Sequence, residues 1–221
     1  MAEAAVNWPQ YADAWSALHG GFDPRKASPV VRGWVRLAWR GGSLAGRLGI
    51  GPSGVTTLGL LLCALVPFVP LPAAAVLVLL AAFADALDGA TAVVTGRVTR
   101  LGYVYDSVAD RLGELAWLAA FWAAGVPGPL VVAALAISWL HEYLRARATA
   151  GGMTEIGLVT VGERPTRVSV AISGLVIAAV AGWVAPDLQR GVVLVAVIAW
   201  LTLGVVGFAQ LVYAVRRALM R

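Results

Sequence analysis

Six apolar stretches, at about 52–71, 73–95, 101–125, 129–149, 167–185 and 191–214, leave this chain few ways to fold. Each approaches the ~20 residues that a helix needs to cross the hydrocarbon core of a bilayer. In lipid, only helices and closed barrels satisfy every backbone donor and acceptor. A barrel would need strict alternation of apolar and polar residues, which is absent. Composition agrees, since 60% of the 221 residues are hydrophobic and 13% charged, too few polar side chains to cover a soluble domain. An ordinary soluble enzyme and a disordered chain are both excluded. The expected fold class is all-α: an integral membrane bundle of six transmembrane helices. The single cysteine, Cys63, excludes an intramolecular disulfide.

The basic residues orient this bundle. Of seventeen Lys and Arg, fifteen precede the first stretch, follow the last, or lie in the loops after the second and fourth. With six spans all fifteen fall on one side, and Arg190 stands alone on the other. The positive-inside rule then puts both termini in the cytoplasm, and the expected location is the inner (plasma) membrane. The net charge of +5 thus marks a membrane face and not a nucleic-acid partner. Residues 29–48 interleave Val31, Trp34, Val35 and Leu37 with Arg32, Arg36 and Arg40, the pattern of an amphipathic helix lying in the cytoplasmic interface. No internal repeat is visible, so residues 1–28 read as an N-terminal polar segment and 29–221 as a single membrane domain.

Carboxylates inside apolar spans are costly and point to function. The second span carries Asp85 and Asp88, the third Asp106, Asp110, Arg111 and Glu114. Asp85 and Asp88 are three residues apart and Asp106 and Asp110 four, so each pair shares a helix face. Asp88 precedes the turn at 96–100 by eight residues and Asp110 follows it by ten, about 12–15 Å of helix in each case. The two pairs can therefore meet in the cytoplasmic half of the bilayer. Such a group suits hard divalent cations, with Mg²⁺ or Mn²⁺ in two ions matching four carboxylates. The same acids would also serve a cation or proton path in a transporter, and the residue types leave both readings open.

The full string separates them. Asp85-Ala-Leu-Asp88-Gly89-Ala-Thr-Ala92, with Gly102, Asp106 and Asp110 following, resembles the CDP-alcohol phosphotransferase signature D-x2-D-G-x2-A-R-x8-G-x3-D-x3-D. One position departs, Val93 standing where the family has Arg. The resemblance implies transfer of a phosphatidyl group from CDP-diacylglycerol to an alcohol, with release of CMP. It implies metal ligation by Asp85, Asp88, Asp106 and Asp110, and catalysis by Asp110 as the base that deprotonates the alcohol. It also implies contacts to CDP from Thr56, Asp88, Gly89, Ala92, Arg100 and Gly102, and a homodimer in the lipid bilayer. Gly89 and Gly102 suit close approach of a ligand to the backbone, although helix packing also favours glycine. Arg97 or Arg100 stands ready to replace the missing Arg.

Tyr143-Leu-Arg145-Ala-Arg147-Ala and Glu163-Arg164-Pro165-Thr166-Arg167 resemble segments of bacterial phosphatidylinositol-phosphate synthases within that family. By that resemblance Arg145, Arg147, Arg164 and Arg167 bind the phosphate of a phosphorylated polyol such as inositol phosphate. Positive-inside anchoring alone also predicts arginines here. Glycerol 3-phosphate, the acceptor of phosphatidylglycerophosphate synthases, is the alternative. His141 and Glu142 read as polar side chains turned into the bundle, and Glu114 as a partner for Arg111.

Overall fold

The computed structural model describes residues 6–18, 20–153 and 159–220. The order is α1 (Trp8–Leu18), α2 (Pro29–Arg47), α3 (Pro52–Leu65) with a 3₁₀ turn at Val66–Phe68, and α4 (Leu71–Val94). Then come α5 (Arg100–Ala123), α6 (Gly128–Ala150), α7 (Arg164–Val184) and α8 (Pro186–Leu219). No strand occurs among the described residues. All six apolar stretches are helical. Three helices, α4, α7 and α8, are long and apolar enough to cross a membrane. A fourth candidate is α2 joined to α3 and its 3₁₀ turn, bent by 114°. Helices α5 and α6 have the length, at 24 and 23 residues, but their acids and arginines break the apolar run.

Helix ends follow local chemistry. Ser28 caps α2 by accepting from the Val31 amide, with Pro29 in the first turn where its missing N–H costs nothing. Gly49, at φ +75°, ends α2, and Gly96, at φ +64°, reverses the chain after α4. There the Arg97 amide donates to the Ala92 carbonyl at 2.9 Å, satisfying a terminal acceptor of the helix.

The chain divides into two compact units, residues 1–62 with 80–110 and residues 63–79 with 111–221. The first holds α1, α2, most of α3, the second half of α4 and the start of α5. Helix α1 lies within residues 1–28, where the sequence suggested a polar segment. Asn7 Oδ1 accepts from the Gln10 amide and Gln10 Oε1 from the Asn7 amide, both at 3.0 Å, a reciprocal capping box. Tyr11 is buried with Val35, Ala38 and Ala90, and Val6, Trp8, Trp15, Trp39 and Val93 pack around them. Helices α2 and α4 touch through Gly42, where a Cβ would come within 2.8 Å of the Ala90 and Thr91 backbone.

The second unit is built on α6, α7 and α8 with the rest of α5. Its core holds Trp117, Leu118, Phe121, Leu175 and Trp200, all buried. Small residues let backbones approach: a Cβ on Gly174 would lie 2.6 Å from Ala196 and 3.2 Å from Phe121. Trp200 Nε1 donates to Ser138 Oγ at 2.9 Å, so the indole enters the core without losing its hydrogen bond.

Candidate metal centre and charged cluster

In the first unit, α4 and α5 bring acids together. Carboxylate oxygens of Asp85, Asp88 and Asp106 lie within 4.8 Å of one another. Asp110 follows Asp106 by one turn of α5 and is half-buried. Asp88 is only 7% exposed. Thr56 Oγ1, also buried, donates to its Oδ2 at 2.7 Å, so a residue of α3 orients an acid of α4. Thr57 and Tyr105 share a 2.8 Å hydrogen bond that ties α3 to α5 beside this group.

The group suits a hard cation. All donors are carboxylate oxygens, and oxygens around Mg²⁺ at ~2.1 Å, or Ca²⁺ at ~2.4 Å, stand at most about 4–5 Å apart. A second set, His141, Glu142 and Glu163, comes equally close in the other unit. There Arg111 and Arg167 reach Glu142, and Arg145 pairs with Glu163, so its charge is already met by the protein.

The two motif glycines differ. A Cβ on Gly89 would meet nothing within 4 Å, so protein packing does not demand glycine there, and the space is open to a ligand. At Gly102 a Cβ would lie 3.0 Å from Thr99 Oγ1, which accepts from the Gly102 amide to cap α5. That glycine has a local reason. Ala92 is half-buried on α4, and Arg100 is exposed at the start of α5. Val93 packs against the Tyr11 cluster, an apolar place for a side chain where the signature has Arg. One turn on, Arg97 brings Nη1 to 3.7 Å from where a Gly51 Cβ would stand, beside the start of α3.

In the second unit, four arginines near the ends of α6 and α7 have unlike surroundings. Arg147 is exposed, and Arg164 is half-buried at the first residue of α7. Arg145 pairs with Glu163, which also accepts from the Thr160 amide and hydroxyl at 3.1 Å each. His141 Nε2 and Thr160 Oγ1 lie 2.8 Å apart, so the buried imidazole helps hold the segment before α7. Arg167 is buried between Glu114 and Glu142, and Arg111 reaches both of these acids. The expected Arg111–Glu114 pair is present as part of this four-membered network. The roles of Thr57, Tyr105 and Thr160 were not foreseen, because only the folded chain brings their partners near.

These features define an all-helical protein, apolar enough for a membrane, with a carboxylate cluster on two helices and an arginine-rich group on two others. The sequence profile of the CDP-alcohol phosphatidyltransferase family matches residues 50–207, and the chain belongs to that family. It is 30% identical over 183 residues to the archaetidylinositol phosphate synthase of Pyrococcus horikoshii, covering 80% of this chain and 90% of that one. Its structure is similar to the crystal structure of Mycobacterium tuberculosis phosphatidylinositol phosphate synthase with CDP-DAG bound. The TM-score is 0.62 at 27% identity, covering 82% of this chain and 94% of that one. A second structure of that synthase, in complex with manganese and citrate, also gives 0.62 at 27% identity, over 79% of this chain and 86% of that one. The chain is thus a transferase of this family.

Proposed function

We propose that the protein transfers a phosphatidyl group from CDP-diacylglycerol to inositol phosphate and releases CMP. The observation that carries this is the convergence of Asp85, Asp88 and Asp106, at the family's spacing, beside the open face at Gly89. The relatives' names differ in the lipid but share inositol phosphate, which supports that acceptor over glycerol 3-phosphate.

Asp85, Asp88, Asp106 and Asp110 would hold two divalent ions, Mg²⁺ or Mn²⁺. Bound there, the metal neutralises pyrophosphate charge and stabilises the leaving phosphate. Asp110 takes the proton of the acceptor hydroxyl. That oxygen attacks the phosphorus bearing the diacylglycerol, the bond to the bridging oxygen breaks, and CMP departs with that oxygen. Thr56 holds Asp88 in orientation by its hydrogen bond. Ala92, Gly89 and Gly102 leave room for CDP, and Arg97 and Arg100 offer charge to its phosphates in place of an Arg at 93. Arg145, Arg147 and Arg164 draw the acceptor's phosphate.

The membrane arrangement follows. Helix α3 with its 3₁₀ turn and α4 to α8 form six spans, with termini and active site cytoplasmic in the plasma membrane. Helix α2 lies in the interface, its Val31, Trp34, Leu37 and Leu44 exposed to lipid and its Val35 and Ala38 turned to protein. A homodimer is the expected assembly. Residues 29–221 act as one membrane domain.

The test is direct. Purified protein is incubated with CDP-diacylglycerol, Mg²⁺ and a panel of inositol phosphate, inositol and glycerol 3-phosphate, and the lipid product is weighed by mass spectrometry. Phosphatidylinositol phosphate with stoichiometric CMP is expected. Product from glycerol 3-phosphate alone would reassign the acceptor, and no CMP with any alcohol would refute the reaction.

A further inference from the structure

Helix α2 presents three faces, and the third is lined with arginine. Successive residues turn by about 100° around the helix axis. Val35, Ala38, Gly42 and Ala45 form one side and are buried against protein. Val30, Trp34, Leu37 and Leu44 form a second side, exposed and apolar. Opposite that second side stands half-buried Trp39. Its ring lies 5.9 Å from that of Trp8 in α1, and its Nε1 donates to the Val6 carbonyl at 3.0 Å. Between Trp39 and the apolar side run Arg32, Arg36, Arg40 and Arg47, all exposed and within about 80° of arc. Among the described residues no acid pairs with any of the four. The Arg36 guanidinium lies 5.0 Å over the Trp8 ring. Stacking uses the flat face of that group and leaves the N–H donors on its edge available to an anion.

We propose that this arginine face binds the headgroup phosphates of anionic phospholipids, and that α1 sets Arg36 for the contact through Trp8. A helix with its apolar side among acyl chains holds the residues at right angles to that side level with the headgroups, and those opposite it toward water. The arginines are centred about 110° from the apolar side, at headgroup level. The position facing water is taken by Trp39 under α1, so the charge is not turned toward a soluble polyanion. Each arginine near an anionic surface strengthens the attraction by about fivefold, and its planar fork can engage a phosphate through two N–H groups. The assignment rests on the reading of α2 as an interfacial helix.

Trp34, on the apolar side, reports on the lipid beside the stripe. The full chain in detergent micelles is titrated with phosphatidylglycerol or phosphatidylcholine carrying brominated acyl chains. The fluorescence of Trp34 is taken as the difference from Trp34→Phe, which keeps an aromatic ring against Phe83. Phosphatidylglycerol should half-quench Trp34 at a ~10–100-fold lower mole fraction than phosphatidylcholine, and high salt should narrow the gap. Arg32→Gln, Arg36→Gln and Arg40→Gln should each narrow it by about fivefold, and the triple variant should close it. Trp8→Leu should narrow it by ~2–5-fold, but add nothing on the Arg36→Gln background, because the ring acts through that guanidinium. If Trp8→Leu does not fold, Arg36→Lys takes its place, keeping the charge but losing the fork, and should narrow the gap by less than Arg36→Gln. A preference for phosphatidylglycerol that survives the triple substitution would overturn the proposal. Inorganic phosphate that abolishes the preference at unchanged ionic strength would make this a site for soluble anions and overturn it too. If neither lipid quenches Trp34, the interfacial reading of α2 fails and this assignment with it. If both quench it alike, only this assignment fails.

Discussion

The two acidic groups of this protein are built on opposite plans. In the first unit Asp85, Asp88 and Asp106 converge on one another, and buried Asp88 is bonded by a neutral hydroxyl. In the second, Glu114, Glu142 and Glu163 are each met by arginine. Carboxylates brought this close suit a divalent cation, whereas carboxylates met by arginine have their charge balanced within the protein. On the proposed reading the first group holds the metal, and the second balances its charge within the protein.

The sharpest way to break this comparison is to remove charge from the first group. Asp88→Asn should lower turnover by at least ~10²–10³-fold, the scale of a lost electrostatic contact to a reacting group, with the detergent-solubilised fold intact. Chelation should have the same effect and be reversed by Mg²⁺ or Mn²⁺. CMP release measures both. The same kind of deletion in the second group should act on folding. Glu114→Ala leaves two arginines with one acid and should cost about 3–5 kcal/mol, read by thermal unfolding. An Asp88→Asn protein that unfolds, or a Glu114→Ala protein of unchanged stability, would erase the distinction.

Smaller changes sharpen it. Thr56→Val removes the hydrogen bond that orients Asp88 and should weaken metal affinity by ~10–100-fold, measured by titration of activity against Mn²⁺. Two glycines of the first unit make a matched pair. Gly42→Ala would push a Cβ to 2.8 Å from α4 backbone and should destabilise the protein by about 1–3 kcal/mol. Gly89→Ala meets nothing within 4 Å and should gain up to about 1 kcal/mol of helix stability. Its activity should nevertheless fall, because the space it fills is the one assigned to CDP.

Much of this was legible before folding, for identifiable reasons. Helices α3 to α8 follow the apolar stretches because long hydrophobic runs admit few structures, although α8 begins at Pro186 and not near 191. The Asp cluster was legible because its members sit at helical spacing on two helices joined by one short turn. Helix α1 was passed over, yet Asn7 and Gln10 form a capping box and Trp8, Tyr11 and Trp15 recur at helical intervals. Those signals span only eleven residues, well short of the ~20-residue apolar runs that mark the other helices. The Arg167–Glu114 pair joins residues 53 positions apart, and no local pattern announces it. Val93 gained its meaning only when the Tyr11 cluster was seen to pack against it.

The smallest effect belongs to the exposed counterpart of the buried network. Arg25 bonds Asp23 at 2.8 Å and Asp13 at 2.7 Å, with its side chain 40% exposed. Solvent screens such a pair, so it should contribute far less than Arg167 does. The Arg25 side chain and amide, bonded to Asp23, hold its carboxyl below the ordinary 3.8. A carboxylate so depressed contributes stability above its unfolded pKa and loses it as pH falls through the folded value. Asp23→Asn should therefore loosen the α1 segment slightly near neutral pH and have no effect once the wild-type carboxyl is protonated, below the usual carboxylate range. Hydrogen exchange at α1 amides across that range reads the difference. An effect that persists in acid would mean that the side chain's shape, and not its charge, holds the segment.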